Sequence, residues 1–405
     1  MSVVPEDPHG IRPTAAHARI PVTLVTGFLG SGKTTLINAV LREPAFAGTL
    51  VIVNEFGEVG LDNALIANAE DGVVLLDSGC LCCAASGTLR DTLIDLFARP
   101  RSGVLPEIGR IIVETSGLAN PGPLVATLIG DSALRPRCVL AQVLTLVDPL
   151  NAASTLETYA EARHQVAFAD TLVLTKMDQA DDEALAGLVP ALARLNDTAP
   201  VLRWDAGRPA APVFGAAGGA PTPAHDAEVW IERMMHSGRG DSPLFAATAH
   251  AGGTRRSSHP SHAPRTPRSL HAPRTLDTSP QPPTPPTPVH GSAFAGVTAC
   301  TLRFGPEPMP FSAYATLTGA LSRYGRKLLR CKGVLPLGPS GEPHVVQGVQ
   351  GYFAPPEKAP RALPAGAVLV CILDGITADE LGALVDALPG MPEHTLLRSS
   401  KDKTR

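Results

Sequence analysis

Gly27-Phe-Leu-Gly-Ser-Gly-Lys33-Thr34 satisfies G-x-x-x-x-G-K-[ST] at every fixed position. The chemistry of that spacing is phosphate binding. Glycines let a backbone wrap a phosphate with its N–H groups turned inward, so Gly27, Gly30, Ser31 and Gly32 are expected to form the cradle. Lys33 supplies a charge for the β- and γ-phosphates. The helix that starts beside it adds its positive end. The Thr34 hydroxyl completes a Mg²⁺ shell, and Thr35 is counted with it among the nucleotide contacts. Ile111-Ile-Val-Glu114-Thr-Ser-Gly117 has the form of a second phosphate-side element, an apolar run ending in an acid with a glycine three residues on. Glu114 is placed to hold a magnesium-bound water, which with Lys33 makes it the catalytic candidate, and the Gly117 N–H is placed to meet the γ-phosphate. Thr175-Lys176-Met177-Asp178 follows another apolar run. An aspartate there accepts both N–H donors of guanine's Watson–Crick edge while a lysine stem covers the ring. Adenine lacks that donor pair, so GTP is expected over ATP. The first position is Thr175 where asparagine is more usual, which leaves one stabilising hydrogen bond open.

Cys80-Leu81-Cys82-Cys83 gathers three of the seven cysteines. Thiolates favour soft or borderline metals such as Zn²⁺ and Cu⁺. Three sulfurs leave one tetrahedral position open, which suits a metal that must leave again. A structural zinc site or a disulfide-prone cluster are the alternatives. The other cysteines, Cys138, Cys300, Cys331 and Cys371, are scattered. An odd cysteine count is a poor disulfide framework and fits a reducing compartment, so a cytoplasmic location is expected.

These motifs need elements to hold them. Short apolar, β-branched runs recur at Val22–Thr26, Thr49–Val53, Val73–Asp77, Ile111–Glu114, Val139–Val147 and Thr171–Thr175. Nearly continuous apolar character marks strands buried on both faces of a parallel sheet. Between them Leu36, Ile37, Val40 and Leu41, and then Leu89, Leu93 and Leu96, recur at helical spacing. Strand alternating with helix predicts an α/β fold, a doubly wound and mostly parallel sheet carrying the phosphate loop. That domain is expected over 19–214, after a disordered leader at 1–18. Residues 215–295 are rich in Pro, Ser and Thr with dispersed histidines, His259 and His262 among them, and read as a flexible linker. A smaller α+β domain is expected over 296–397, with a basic tail at 398–405. Its strands are expected at Val297–Phe304, Leu328–Leu335, Val345–Phe353 and Ala367–Leu373, and its helices at Phe311–Tyr324 and Thr377–Leu388. Arg330 and Lys332 share one strand face, with Cys331 on the other. That basic face reads either as a contact for a client or nucleotide or as a solvent-facing pair.

The chain has 405 residues and a net charge of −4. So weak an acidic balance gives no general attraction to nucleic acid or anionic membranes. The most apolar stretch, Cys138–Val147, is far short of the ~20 residues a membrane-crossing helix needs. Neither nucleic acid nor membrane is therefore an expected partner.

GFLGSGKTTLIN, VNEFGEVGLD, SGCLCC, ETSGLANP and FADTLVLTKMD, in that order, resemble the CobW-type GTPases, and LLRCKGVL and VVQGVQ resemble that family's C-terminal domain. The resemblance implies Mg²⁺-dependent GTP hydrolysis coupled to delivery of a metal, zinc first and cobalt or iron next, to a metal-requiring client protein. It implies Cys80, Cys82 and Cys83 as metal ligands. It also favours a functional role for Glu55, in an acidic segment after the Thr49–Val53 strand, at the metal site. Homo-oligomerisation is compatible with it. A regulatory protein that binds GTP or ATP and carries a purely structural metal site is the competing reading.

Overall fold

The computed structural model describes residues 19–53, 76–77, 85–98, 108–180, 182–215, 296–359 and 367–398. Cys80, Cys82, Cys83 and Glu55 lie outside the described residues, as do the expected leader, the expected linker beyond Gly215 and the expected tail beyond Arg398.

The amino-terminal half alternates strand and helix. The strands are β1 (Ile20–Gly27), β2 (Thr49–Val53), β3 (Leu76–Asp77), β4 (Arg110–Glu114), β5 (Cys138–Val147), β6 (Thr171–Leu174) and β7 (Val201–Arg203). The helices are α1 (Lys33–Leu41), α2 (Ala85–Ala98), α3 (Gly122–Gly130), α4 (Ala152–Thr158), α5 (Ala160–Phe168) and α6 (Asp182–Leu195). The strands form one parallel sheet in the order β3-β2-β4-β1-β5-β6-β7. Chain order reverses beside β1, between β4 and β5. In open α/β sheets ligands bind at the carboxyl ends of strands at such a switch point, and the Gly27–Thr34 loop leaves β1 there.

The carboxy-terminal half is antiparallel. It contains β8 (Val297–Phe304), α7 (Phe311–Ser322), β9 (Leu328–Leu337), β10 (Glu342–Val349), β11 (Tyr352–Phe353), β12 (Glu357–Lys358), β13 (Ala367–Asp374), α8 (Ala378–Asp386) and β14 (His394–Arg398). The sheet order is β11-β10-β9-β13-β8-β14, with β12 beside β10. A single strand over Val345–Phe353 is not what forms. Gln350 and Gly351 both take positive φ, 50° and 80°, and turn the chain so that Val349 pairs with Tyr352. Two residues of positive φ match a hairpin's twist.

The two sheets share a layer of helices. Helix α3 packs on β10 and β11, α5 on β9, and α6 on β8. One continuous core therefore runs from Val22, Leu24 and Val143 of the parallel sheet through Leu128, Val166 and Leu192 to Val334, Val368 and Val370 of the antiparallel sheet. Strand β13 is apolar throughout because its alternate residues serve two cores: Val368, Val370 and Ile372 face the shared helices, and Leu369, Cys371 and Leu373 face α7 and α8.

The basic pair on β9 is neither a client surface nor solvent-facing. Arg330 Nη2 and Lys332 Nζ meet Asp170 Oδ1 at 2.7 and 2.9 Å, and Arg330 also donates to the Phe168 carbonyl at the end of α5. Asp170 Oδ2 in turn accepts from the Val143 N–H. Burial would raise the Asp170 carboxyl, but the two cations outweigh it and hold it well below the usual carboxylate range.

Candidate functional site

The phosphate loop is built as its sequence requires. Gly27 has φ +141°, and a Cβ there would lie 2.4 Å from the Leu146 carbonyl oxygen on β5, so no other residue fits. Gly32 caps α1 in the left-handed region. Lys33 Nζ donates to the carbonyls of Gly27 and Phe28 at 2.9 and 3.2 Å, and so lies over the loop it belongs to. The buried Ser31 hydroxyl has no hydrogen-bond partner among the described residues. A buried orphan hydroxyl costs free energy unless something else satisfies it, and a phosphate oxygen has the chemistry to do so.

Glu114 ends β4, the strand next to β1, and Thr34 opens α1. The Thr34 hydroxyl donates to Glu114 Oε1 at 2.8 Å. A hydroxyl and a carboxylate from two separate elements thus meet at the mouth of the loop, a donor set that fits Mg²⁺. Gly117 abuts the loop from the same side. A Cβ on Gly117 would stand 2.7 Å from the Leu29 amide nitrogen, so the segment after β4 lies flush on the phosphate loop.

The Thr175–Asp178 loop is tied to the same place. Where the asparagine is missing, the Thr175 hydroxyl donates to the Ser31 carbonyl at 2.9 Å; a bond from this position to the phosphate loop is therefore made. Lys176 takes φ +50° and its Nζ meets Asp148 Oδ2 at 2.7 Å, which fixes the direction of its stem. Asp178 is exposed. The Met177 N–H donates to Asp205 Oδ1 at 2.9 Å, joining this loop to the one after β7. That second loop was not legible in the sequence, because β7 is only three residues long. With α1 it lines a cleft of about 290 Å³ between Thr34, Thr35, Asn38 and Arg42 on one side and Trp204, Ala206 and Gly207 on the other.

The sequence also gave no sign of what supports the Ser116–Pro121 segment. The buried Gln165 side chain of α5 donates from Nε2 to the carbonyls of Gly117 and Ala119 at 3.0 and 3.1 Å. Its own backbone carbonyl accepts from the Thr145 hydroxyl at 2.7 Å.

Lys33, Thr34, Glu114, Gly117 and Thr175 are thus brought together, and Lys176 and Asp178 follow on the same sheet end. The four remaining cysteines do not make a metal site. Cys300, Cys331 and Cys371 stand opposite one another on β8, β9 and β13, with the Cys331 and Cys371 sulfurs 3.6 Å apart. All are buried. Burial pushes the Cys138 thiol up to about 11 and the Cys331 thiol well above its ordinary value, so these two are protonated at neutral pH. Among the described residues, no group of three His, Cys, Asp or Glu is arranged to hold a metal, and no helix is long and apolar enough to cross a membrane.

Comparison with known proteins points one way. The CobW/HypB/UreG nucleotide-binding domain matches residues 21–203, and the C-terminal domain of the cobalamin synthesis protein cobW matches residues 302–388. The chain is 40% identical over 182 residues to the zinc chaperone YjiA of Escherichia coli (strain K12), covering 45% of this chain and 56% of that protein. It is 32% identical over 199 residues to the zinc-regulated GTPase metalloprotein activator 1 of Schizosaccharomyces pombe, covering 47% of this chain and 46% of that protein. The chain thus matches about half the length of these relatives. The crystal structure of the Zn(II)-bound YjiA GTPase from E. coli shares its fold, with a TM-score of 0.53 and 23% identity over 91% of this chain and 99% of that one.

Proposed function

We propose a function on the premise that the chain belongs to the CobW-type GTPase family: it hydrolyses GTP and uses the cycle to capture zinc and hand it to a client protein. The observation that carries the nucleotide half is the meeting of Thr34 and Glu114 at 2.8 Å beside the Lys33 loop. Lys33 and the loop amides hold the β- and γ-phosphates, and the Ser31 hydroxyl finds its acceptor there. Thr34 and Glu114 are the residues that would hold Mg²⁺, directly and through a water. When bound, Mg²⁺ neutralises charge on the β- and γ-phosphate oxygens. Gly117 presents its N–H towards the γ-phosphate, and Asp178 with the Lys176 stem selects guanine. The Trp204–Gly207 loop closes the far side of the cleft.

Zinc is the cargo in this reading, with cobalt or iron as substitutes. The names of the relatives and the three-thiol motif support it. Cys80, Cys82 and Cys83, with Glu55, are the proposed ligands. Free thiolates are kept in a reducing compartment, which makes the cytoplasm the proposed location. Residues 19–214 and 296–397 are the proposed domains, and 215–295 the proposed linker.

Near-complete capture and release needs roughly 10⁴-fold different metal affinity in the two nucleotide states, about 5.5 kcal/mol. The test is a zinc titration of the whole chain with GDP and with a non-hydrolysable GTP analogue. Zinc is expected to bind far more tightly with the analogue, Lys33→Ala is expected to erase the difference, and affinity is expected to fall as pH falls because thiols must lose protons to ligate. Equal zinc affinity in both nucleotide states would overturn this function.

A further inference from the structure

The segment that lies on the phosphate loop is held from behind by the carboxy-terminal half. Asn120 sits two residues beyond Leu118 and three beyond Gly117. Its Oδ1 accepts the Gly122 N–H at 2.8 Å, which turns its Nδ2 donor towards His164 Nδ1, 3.3 Å away on α5. Facing a donor, His164 Nδ1 must be the acceptor, so the ring proton is on Nε2. Nε2 then donates to Asp374 Oδ2 at 3.1 Å, at the end of β13 in the antiparallel sheet. Each bond in this chain has a fixed direction, from the segment through α5 to the other sheet.

A second contact falls just beyond the segment, at the first residue of α3. Gln350, the first of the two positive-φ residues of the β10–β11 hairpin, lies so close that a Cβ on Gly122 would be 2.6 Å from its Nε2. Meanwhile α5 is anchored at its far end by Arg330 on the Phe168 carbonyl and on Asp170. The helix that carries His164 and Gln165 is therefore fixed to β9, and the segment after Glu114 is fixed to that helix.

We propose that Asp374, acting through His164 and Asn120, is a positioning residue for GTP hydrolysis: the antiparallel sheet sets the Ser116–Pro121 segment against the phosphate loop and is moved by it in return. This rests on the nucleotide reading above. None of the three touches the reacting atoms. Their effect is on where Gly117 stands, and coupling of this kind is reciprocal in binding.

Asp374→Ala and His164→Ala in the whole chain are expected to slow single-turnover GTP hydrolysis about tenfold. They are also expected to weaken a fluorescent non-hydrolysable GTP analogue by a similar factor while leaving fluorescent GDP unchanged. Asp374→Asn, which keeps an acceptor oxygen, should restore both. Asn120→Ala combined with Asp374→Ala should be no worse than either alone, since both cut one chain. Glu357→Gln, which loosens the Arg19 contact elsewhere between the same halves, should change neither readout. In the wild type, hydrogen exchange around Asp374–Thr377 should differ between GDP and analogue. Wild-type turnover with Asp374→Ala at full rate and full analogue affinity overturns the proposal alone. Equal loss of GDP and analogue binding in Asp374→Ala overturns it in favour of plain destabilisation. A wild type that neither binds nor hydrolyses GTP overturns it together with the function it rests on.

Discussion

At the scale of single residues, the site depends on backbone geometry that few side chains tolerate. Gly27 is the clearest case: alanine there would need φ +141° and would drive a methyl group to 2.4 Å from the Leu146 carbonyl. Strain alone costs about 1–3 kcal/mol at such a position, and relief of the clash must move β5 or the phosphate loop. Gly27→Ala is expected to lower the melting temperature and abolish GTP binding, measured by thermal melts and by titration with a fluorescent analogue. Most of these residues were legible beforehand, because a phosphate loop is a local pattern whose spacing is its function. Lys33, Thr34, Glu114 and Gly117 were named from sequence and meet in space. Gln165, His164, Asp148 and Asp205 were not, because each acts on residues far from it in the chain. Gln165 reaches across 48 positions to Gly117, and no spacing rule reports that.

At the scale of elements, the long buried strands announced themselves and the short ones did not. Strands β1, β2, β4, β5 and β6 are apolar runs covered on both faces. Strand β7 has three partly or fully exposed residues, and the turn at Gln350–Gly351 was hidden inside an apolar run. The sharpest misreading was the basic pair on β9. Alternation places Arg330 and Lys332 on one face, but it does not say that this charged face looks inwards. It looks at Asp170, between α5 and β6, whose side chain is only 12% exposed. Replacing this acid takes the carboxylate away from the buried Arg330 guanidinium and the partly buried Lys332 ammonium, and breaking a buried ion pair typically costs about 3–5 kcal/mol. The Asp170 carboxyl is held below its unfolded value, so its contribution is complete above the ordinary carboxylate pKa of about 4 and is lost as pH falls through the folded value. Urea unfolding of Asp170→Asn beside the wild type should show a gap of that size at pH 7 that closes progressively below about pH 4. A gap independent of pH would remove the ion triad as its cause.

At the scale of the whole molecule, five layers alternate: α1, the parallel sheet, the shared helices, the antiparallel sheet, and α7 with α8. The fold class of each half could be read from its own elements, but their union could not. Nothing in a strand's alternation says which helix will cover it. The shared layer explains why β13 lacks the polar alternation usual in an antiparallel sheet with one wet face. It also predicts that residues 1–215 made alone will expose part of the joint core, Leu128 and Ile129 among it, which face Val345 and Ala354 of the carboxy-terminal half. Such a fragment is expected to aggregate or bind a hydrophobic dye at temperatures where the full chain is monodisperse, as light scattering would show. A soluble, dye-silent fragment would mean that these helices cover themselves.

The triad of Asp170, Arg330 and Lys332 also constrains descent. Two halves joined by a neutral, greasy seam can be exchanged between relatives with little more than a volume match. Here the seam carries a charge code, one anion on the amino-terminal side answered by two cations on the other. A hybrid that takes one half from a lineage without the matching charges is expected to forfeit about 3–5 kcal/mol at this seam, however well its apolar surfaces fit.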